Sequence, residues 1–237
     1  MNHIGIDCCK AGWFYVSIDD NDHWNMGILS NISDLSAFLQ NSNLILVDIP
    51  IGLREGGSSE RLCDMEARKV LTKRKPSIFP APCRQALSCT TYKEACNVNK
   101  KVTGRRISQQ TWAISFKIKQ MDDFLSETNA RGLVREFHPE VAFWALNNKT
   151  EMQYNKKLQP GHEERLKMLL KFYPFAEEIV SKAKEMYRRK DLAVDDIIDA
   201  IAGAVTAKYS QSLRTLPEKP EYDSKGLNME IVFGEWL

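Results

Sequence analysis

The four residues Leu44-Ile45-Leu46-Val47, followed at once by Asp48, constrain this chain more than any others. A strand that is apolar on both faces must be covered on both, and a central parallel strand between two helical layers is the arrangement that does so. An aspartate at the C-terminal end of such a strand stands where open α/β sheets bind ligands.

The residues before and after this strand extend the pattern. Residues 3 to 8 and 12 to 18 are apolar and β-branched or aromatic, and Lys10-Ala11-Gly12 between them predicts a tight hairpin. His23 to Leu29 offers a third, weaker strand, and Asn31-Ile32-Ser33 supplies an N-cap before Leu35, Phe38 and Leu39, whose spacing predicts a short amphipathic helix. Three strands, a helix and then a central strand open a ribonuclease H-like fold, an α/β architecture with a mixed sheet flanked by helices. Downstream, Ser58 is a candidate cap for a helix running to Leu71, Pro76 to Pro82 break it, and Ser108 caps another reaching Phe124. We expect a largely helical insertion over about 54–130 within a single domain spanning 1–237. A strand at Leu133-Val134-Arg135-Glu136-Phe137 follows, then helical signals over 139 to 146, 162 to 171, 174 to 188 and 191 to 210.

Three of these strands carry an acid near their ends: Asp7, Asp48 and Glu136. If the strands are parallel neighbours, their C-terminal ends open onto one crevice. On the last helix Asp196 and Asp199 lie three residues apart, Gly203 follows four later along the same stripe, and Asp195 reaches that stripe through its spacing to Asp199. The other face carries Ile197, Ile198, Ile201 and Val205, while Ala200, Gly203, Ala204 and Ala207 permit close approach to a sheet. Carboxylates gathered this way repel one another unless a cation neutralises them. Hard oxygen donors suit Mg²⁺ or Mn²⁺, whereas zinc more usually recruits His or Cys. Each acid taken alone also serves as a turn former or as a helix-dipole partner.

Composition narrows the function classes. With 43% hydrophobic and 27% charged residues, the chain is that of an ordinary globular protein, not a disordered or membrane-embedded one. Asp7 interrupts the N-terminal apolar run that a signal peptide would need, so a cytoplasmic location is expected, with no membrane partner. The six cysteines form no Cys-x-x-Cys pair, which points to buried reduced thiols instead of zinc or disulfides. The net charge is only +2, yet residues 68 to 106 hold eleven Lys or Arg against one acid, Glu94. That segment is either a phosphate-binding surface or a solvated basic face. Within it or close by, Arg61, Arg68, Lys73, Arg74, Lys75, Arg105 and Arg106 are candidate phosphate contacts, and His138 beside Glu136 is a candidate proton shuttle or ligand. Arg61 and Arg68 share a helical face with Asp64, so they clamp a phosphate or pair with that acid. Trp112, Phe116 and Trp144 are aromatic enough to stack on bases, but their helical spacing favours the core.

Taken in order, Gly5-Ile6-Asp7 with Gly12-Trp13, Asp48-Ile49-Pro50-Ile51-Gly52-Leu53, Arg61-x-x-Asp64-x-x-Ala67-Arg68, Phe79-Pro80-Ala81-Pro82, Glu136-Phe137-His138-Pro139-Glu140 and Asp195-Asp196-Ile197-Ile198-Asp199-Ala200 form a recognisable set. On them the chain resembles, over nearly its whole length, an uncharacterised family of predicted ribonuclease H-like nucleases distantly related to Holliday-junction resolvases of the RuvC type. The resemblance implies that fold, a metal-dependent site at Asp7, Asp48, Glu136, Asp196 and Asp199, and nuclease activity on DNA or RNA. Cys8-Cys9 departs from the small residues more usual after the first acid. Two other function classes compete. A non-catalytic nucleic-acid-binding or regulatory module would keep the fold and spread or block the acids; an actin-like or sugar-kinase-like phosphotransferase would need glycine-rich phosphate loops and a second core.

Overall fold

A computed structural model describes residues 1–57 and 59–236. In chain order it contains strands β1 (Asn2–Cys9), β2 (Gly12–Asp19), β3 (Trp24–Leu29) and β4 (Ser42–Val47), helices α1 (Leu62–Val70), α2 (Tyr92–Thr103) and α3 (Gln109–Glu127), strand β5 (Val134–Glu136), helices α4 (Pro139–Leu146), α5 (Gln159–Leu169), α6 (Ala176–Met186) and α7 (Val194–Tyr209), and strands β6 (Ser212–Tyr222) and β7 (Asn228–Glu235). The chain divides into two compact units, the first made of Met1–Asp48, Gly132–Arg214 and Val232–Leu237, the second of Ile49–Arg131 and Thr215–Ile231.

The first unit is built on a mixed five-stranded sheet in the order β3-β2-β1-β4-β5. Strands β1 to β3 are antiparallel neighbours, while β4 runs parallel to both β1 and β5. Leu44, Ile45, Leu46 and Val47 are all buried, as a central strand covered on both faces requires. Helix α7 lies across β1, β2 and β4, and α4, α5 and α6 pack on α7. The contact is closer than side chains would allow. A Cβ on Gly5 would fall 2.0 Å from the Ala200 carbonyl oxygen, and one on Gly203 would meet the Gly5 Cα at 2.9 Å. Two facing glycines therefore set how near α7 comes to β1, and with it how near its acids come to the strand ends. Around this seam Phe14, Val16, Phe143, Ile197, Ile201 and Val205 belong to one apolar cluster.

The segment at Ile32–Asn41 is a 3₁₀ helix, not the α-helix its spacing implied; Asn31 caps it as expected. Ser108 likewise caps α3. Ser58 lies outside the described residues, and α1 begins after Arg61 with no side-chain cap.

In the second unit, Cys83, Ala86, Ala95, Cys96 and Ile107 form a small core lined by Tyr92 and Trp112. Phe116, by contrast, is 69% exposed. The buried face of α3 follows Ser115, Ile118, Asp122 and Leu125, and a residue one step from that row points away from it. Among the described residues no helix is long and apolar enough to cross a membrane.

Candidate metal centre

The site grows out of strand alternation. Val47 pairs with Ile6 across the parallel ladder, and the Asp48 amide donates to the Ile6 carbonyl at 2.9 Å. Asp7 and Asp48 therefore sit one residue beyond a matched pair and leave the sheet on the same face, the one that Gly5 turns toward α7. Asp199, one turn before Gly203, comes down from α7 onto that face. Carboxylate oxygens of Asp7, Asp48 and Asp199 lie within 4.8 Å of one another.

The three acids have little else to satisfy them. Asp7 accepts only the Cys8 amide, at 2.6 Å, among the bonds resolved for its side chain. Asp199 is fully buried; one of its oxygens accepts from Lys156 Nζ at 2.6 Å and the other, Oδ1, has no hydrogen-bond partner. A buried anionic oxygen to which no protein group donates is costly, so this position calls for a positive ligand. Burial pushes the Asp7 carboxyl well above the usual carboxylate range, and the charges of Asp48 and Asp199 push it further. Burial also raises Asp48 to about 6, with Lys156 opposing the rise and Glu140 adding to it. Asp199 is raised by burial as well, against the pull of Lys156. Three like charges thus share a poorly solvated space with one lysine.

Lys156 is not legible as a site residue in the sequence, yet the loop carrying it is firmly built. Glu164 accepts from the Gln153 and Tyr154 amides at 2.7 and 3.0 Å. Arg165 donates to the Tyr154 carbonyl at 3.1 Å and to the Gly161 carbonyl at 3.2 Å, while its other nitrogen donates to Glu140 at 2.7 Å. Gly161 is required for the closure, since a Cβ there would come within 2.0 Å of the Asn155 carbonyl oxygen. The attraction of the three acids holds the Lys156 ammonium far more firmly charged than usual, although burial alone would act the other way.

The remaining acids of the expected set are not part of this close group. Asp196 accepts the Ala193 amide at 3.1 Å and so caps α7; burial raises it to about 6, and Asp195 and Asp199 contribute. It adjoins the trio but is not part of the close group. Glu136 is buried, but it pairs with Val47, so its side chain leaves the sheet on the face opposite Asp7 and Asp48. Its neighbour Phe137, whose amide donates to the Val47 carbonyl, takes the position beside Asp48 and packs against Gly203.

The expected phosphate contacts are similarly divided. Arg61 is buried, donates to Asp64 at 2.6 Å and to the Ile51 and Gly52 carbonyls, and so serves the core of the second unit. Arg68 pairs with Glu60 and donates to the Ile78 carbonyl at 3.0 Å; Arg105 pairs with the same Glu60. Lys73, Lys75 and Arg106 are exposed and Arg74 is half-buried. His138 caps α4 by accepting the Glu140 amide through Nδ1 at 3.2 Å, a structural use of the ring.

The family model described as "Protein of unknown function (DUF429)" matches residues 5–222. No curated protein and no solved structure matches the chain. The chain belongs to the DUF429 family.

Proposed function

We propose that this DUF429 member is a divalent-metal-dependent phosphodiesterase of the ribonuclease H-like fold that cleaves nucleic acid. The observation that carries the reading is the unpartnered Asp199 Oδ1, fully buried beside the carboxylates of Asp7 and Asp48 at the C-terminal ends of parallel strands. The sheet order β3-β2-β1-β4-β5, three antiparallel strands followed by two parallel ones with a helix lying across the acids, supports that fold. An all-carboxylate donor set with no His or Cys in the group fits Mg²⁺ or Mn²⁺ better than zinc. Asp7, Asp48 and Asp199 are the residues that would hold it. When bound, such an ion lowers the pKa of a coordinated water and stabilises charge on a phosphoryl oxygen.

The chain's own contribution is positional. Parallel pairing of β1 with β4 and the glycine seam to α7 fix three carboxylates before any ligand arrives, which limits the reorganisation that binding requires. Asp196 stands next to them with an elevated affinity for protons near neutrality, the property of a group that takes a proton from a nucleophile or returns one to a leaving oxygen. In the second unit, taken by itself, Lys75 and Arg106 are exposed cations of the kind that contact a polyanion.

The test is cleavage of a labelled panel of single strand, duplex, RNA–DNA hybrid, four-way junction and cyclic nucleotides with Mg²⁺ or Mn²⁺, run beside Asp7→Asn. Metal-dependent cleavage that the substitution abolishes is the expected result. A folded, metal-loaded protein that cleaves none of these would replace the reading with a non-catalytic binding module.

A further inference from the structure

We propose that Lys156 is a built-in cation of this centre, standing in for a second metal ion, so that the site takes one Mg²⁺ or Mn²⁺ per chain. The inference rests on the reading of Asp7, Asp48 and Asp199 as metal ligands and goes beyond it in fixing the number of ions. With all three aspartates ionised, as metal ligation requires, the fixed ammonium leaves a formal deficit of two positive charges, which a single divalent ion cancels. Without the lysine the deficit is three, and the space would draw the ion more strongly.

The surroundings of Lys156 mark it as placed and not incidental. Its ammonium lies 2.6 Å from one oxygen of the fully buried Asp199, and the other, Oδ1, has no hydrogen-bond partner. The loop that presents it is closed by Gly161 and pinned by Glu164 and by the buried Arg165, whose own charge is balanced by Glu140. An ordinary surface salt bridge contributes little to stability and would not need such support. A fixed ammonium next to a divalent ion offers a phosphate two positive centres, the arrangement that two-metal sites reach with a second ion. Because one of those centres is covalently part of the chain, it cannot be removed by chelation.

Manganese titration followed by electron paramagnetic resonance, with calorimetry for affinity, tests this on the full chain without reference to cleavage. The unaltered protein is expected to bind one Mn²⁺. Lys156→Met and Lys156→Gln should bind it at least tenfold more tightly, because they remove a positive charge beside the ligands, while Lys156→Arg should stay close to the unaltered affinity. Circular dichroism establishes that each variant is folded. Two equivalent ions in the unaltered protein, or unchanged or weaker binding in both neutral variants, would overturn the role of Lys156 and leave the metal centre standing. Absence of any bound ion in the unaltered protein would remove the metal centre itself, and this inference with it.

Discussion

Replacing Asp7 by Asn should make the metal-free protein more stable while destroying its capacity to be stabilised by metal. Carboxylate oxygens of Asp7, Asp48 and Asp199 approach within 4.8 Å. Coulomb's law at an effective dielectric of about 20 puts roughly 3.5 kcal/mol on one such pair of unit charges. Asp7 takes part in two of these repulsions, and the attraction of Lys156 offsets one of them in order of magnitude. The protein also relieves the repulsion by keeping a proton, because the Asp7 carboxyl is raised well above its ordinary range. What remains is a gain of about 1–3 kcal/mol at pH 7.5 for the neutral isostere. Asn retains an oxygen to accept the Cys8 amide, so that hydrogen bond is preserved. Thermal unfolding in EDTA should therefore move up by several degrees, at roughly 2–4 °C per kcal/mol for a chain of this size. Added Mn²⁺ should then raise the unaltered protein further and leave Asp7→Asn where it was. A metal-free Asp7→Asn protein less stable than its parent by about 1 kcal/mol or more, or one still stabilised by Mn²⁺, would refute the reasoning, since repulsion among the three acids would then not govern the stability of the empty site.

Asp48 and Asp196 titrate at about 6, so the folded state keeps protons that the unfolded chain has already released; this contribution is fully present below about pH 4 and is lost as pH rises through 6. The metal-induced rise in unfolding temperature should accordingly be small at about pH 5 and grow to a plateau above about pH 7, and a rise independent of pH between those limits would contradict it. Gly5→Ala drives a methyl into the backbone of α7 and should cost about 3 kcal/mol or more, read by urea denaturation; a cost below about 1 kcal/mol would mean the helix is free to move off the sheet. Arg165→Met leaves Glu140 buried without its cation and should cost about 3–5 kcal/mol. Adding Glu140→Gln should recover part of that loss, and strict additivity of the two would argue against the pair.

How much of this is readable from the sequence follows from which forces are local. Asp7 and Asp48 are visible because each ends an apolar strand, and Asp199 because it shares a helix stripe with the small residues that let α7 approach β1. Glu136 carries the same signal, an acid at the end of a strand. Its direction depends on pairing with Val47 and not Asp48, a one-residue matter of register that only the assembled sheet decides. Lys156 sits in an aperiodic polar stretch among 33 Lys and Arg, and nothing near it in sequence distinguishes it. Its surroundings, Asp199 together with Glu164 and Arg165, meet it through tertiary closure. The pairing of Arg61 with Asp64 is one of two readings of a three-residue spacing, and the carbonyls of Ile51 and Gly52 that complete its hydrogen bonding come from a preceding turn. Strand β6 escapes a reading of the sequence because Pro217, Pro220 and the charges around them break the alternation that marks a strand.

The most direct measurement of the central claim is an anomalous difference map from crystals grown with Mn²⁺. The account predicts one manganese peak per chain within bonding distance of Asp7, Asp48 and Asp199, with Lys156 still facing the group. Manganese bound only elsewhere, with Asp199 Oδ1 remaining without a ligand, would contradict it.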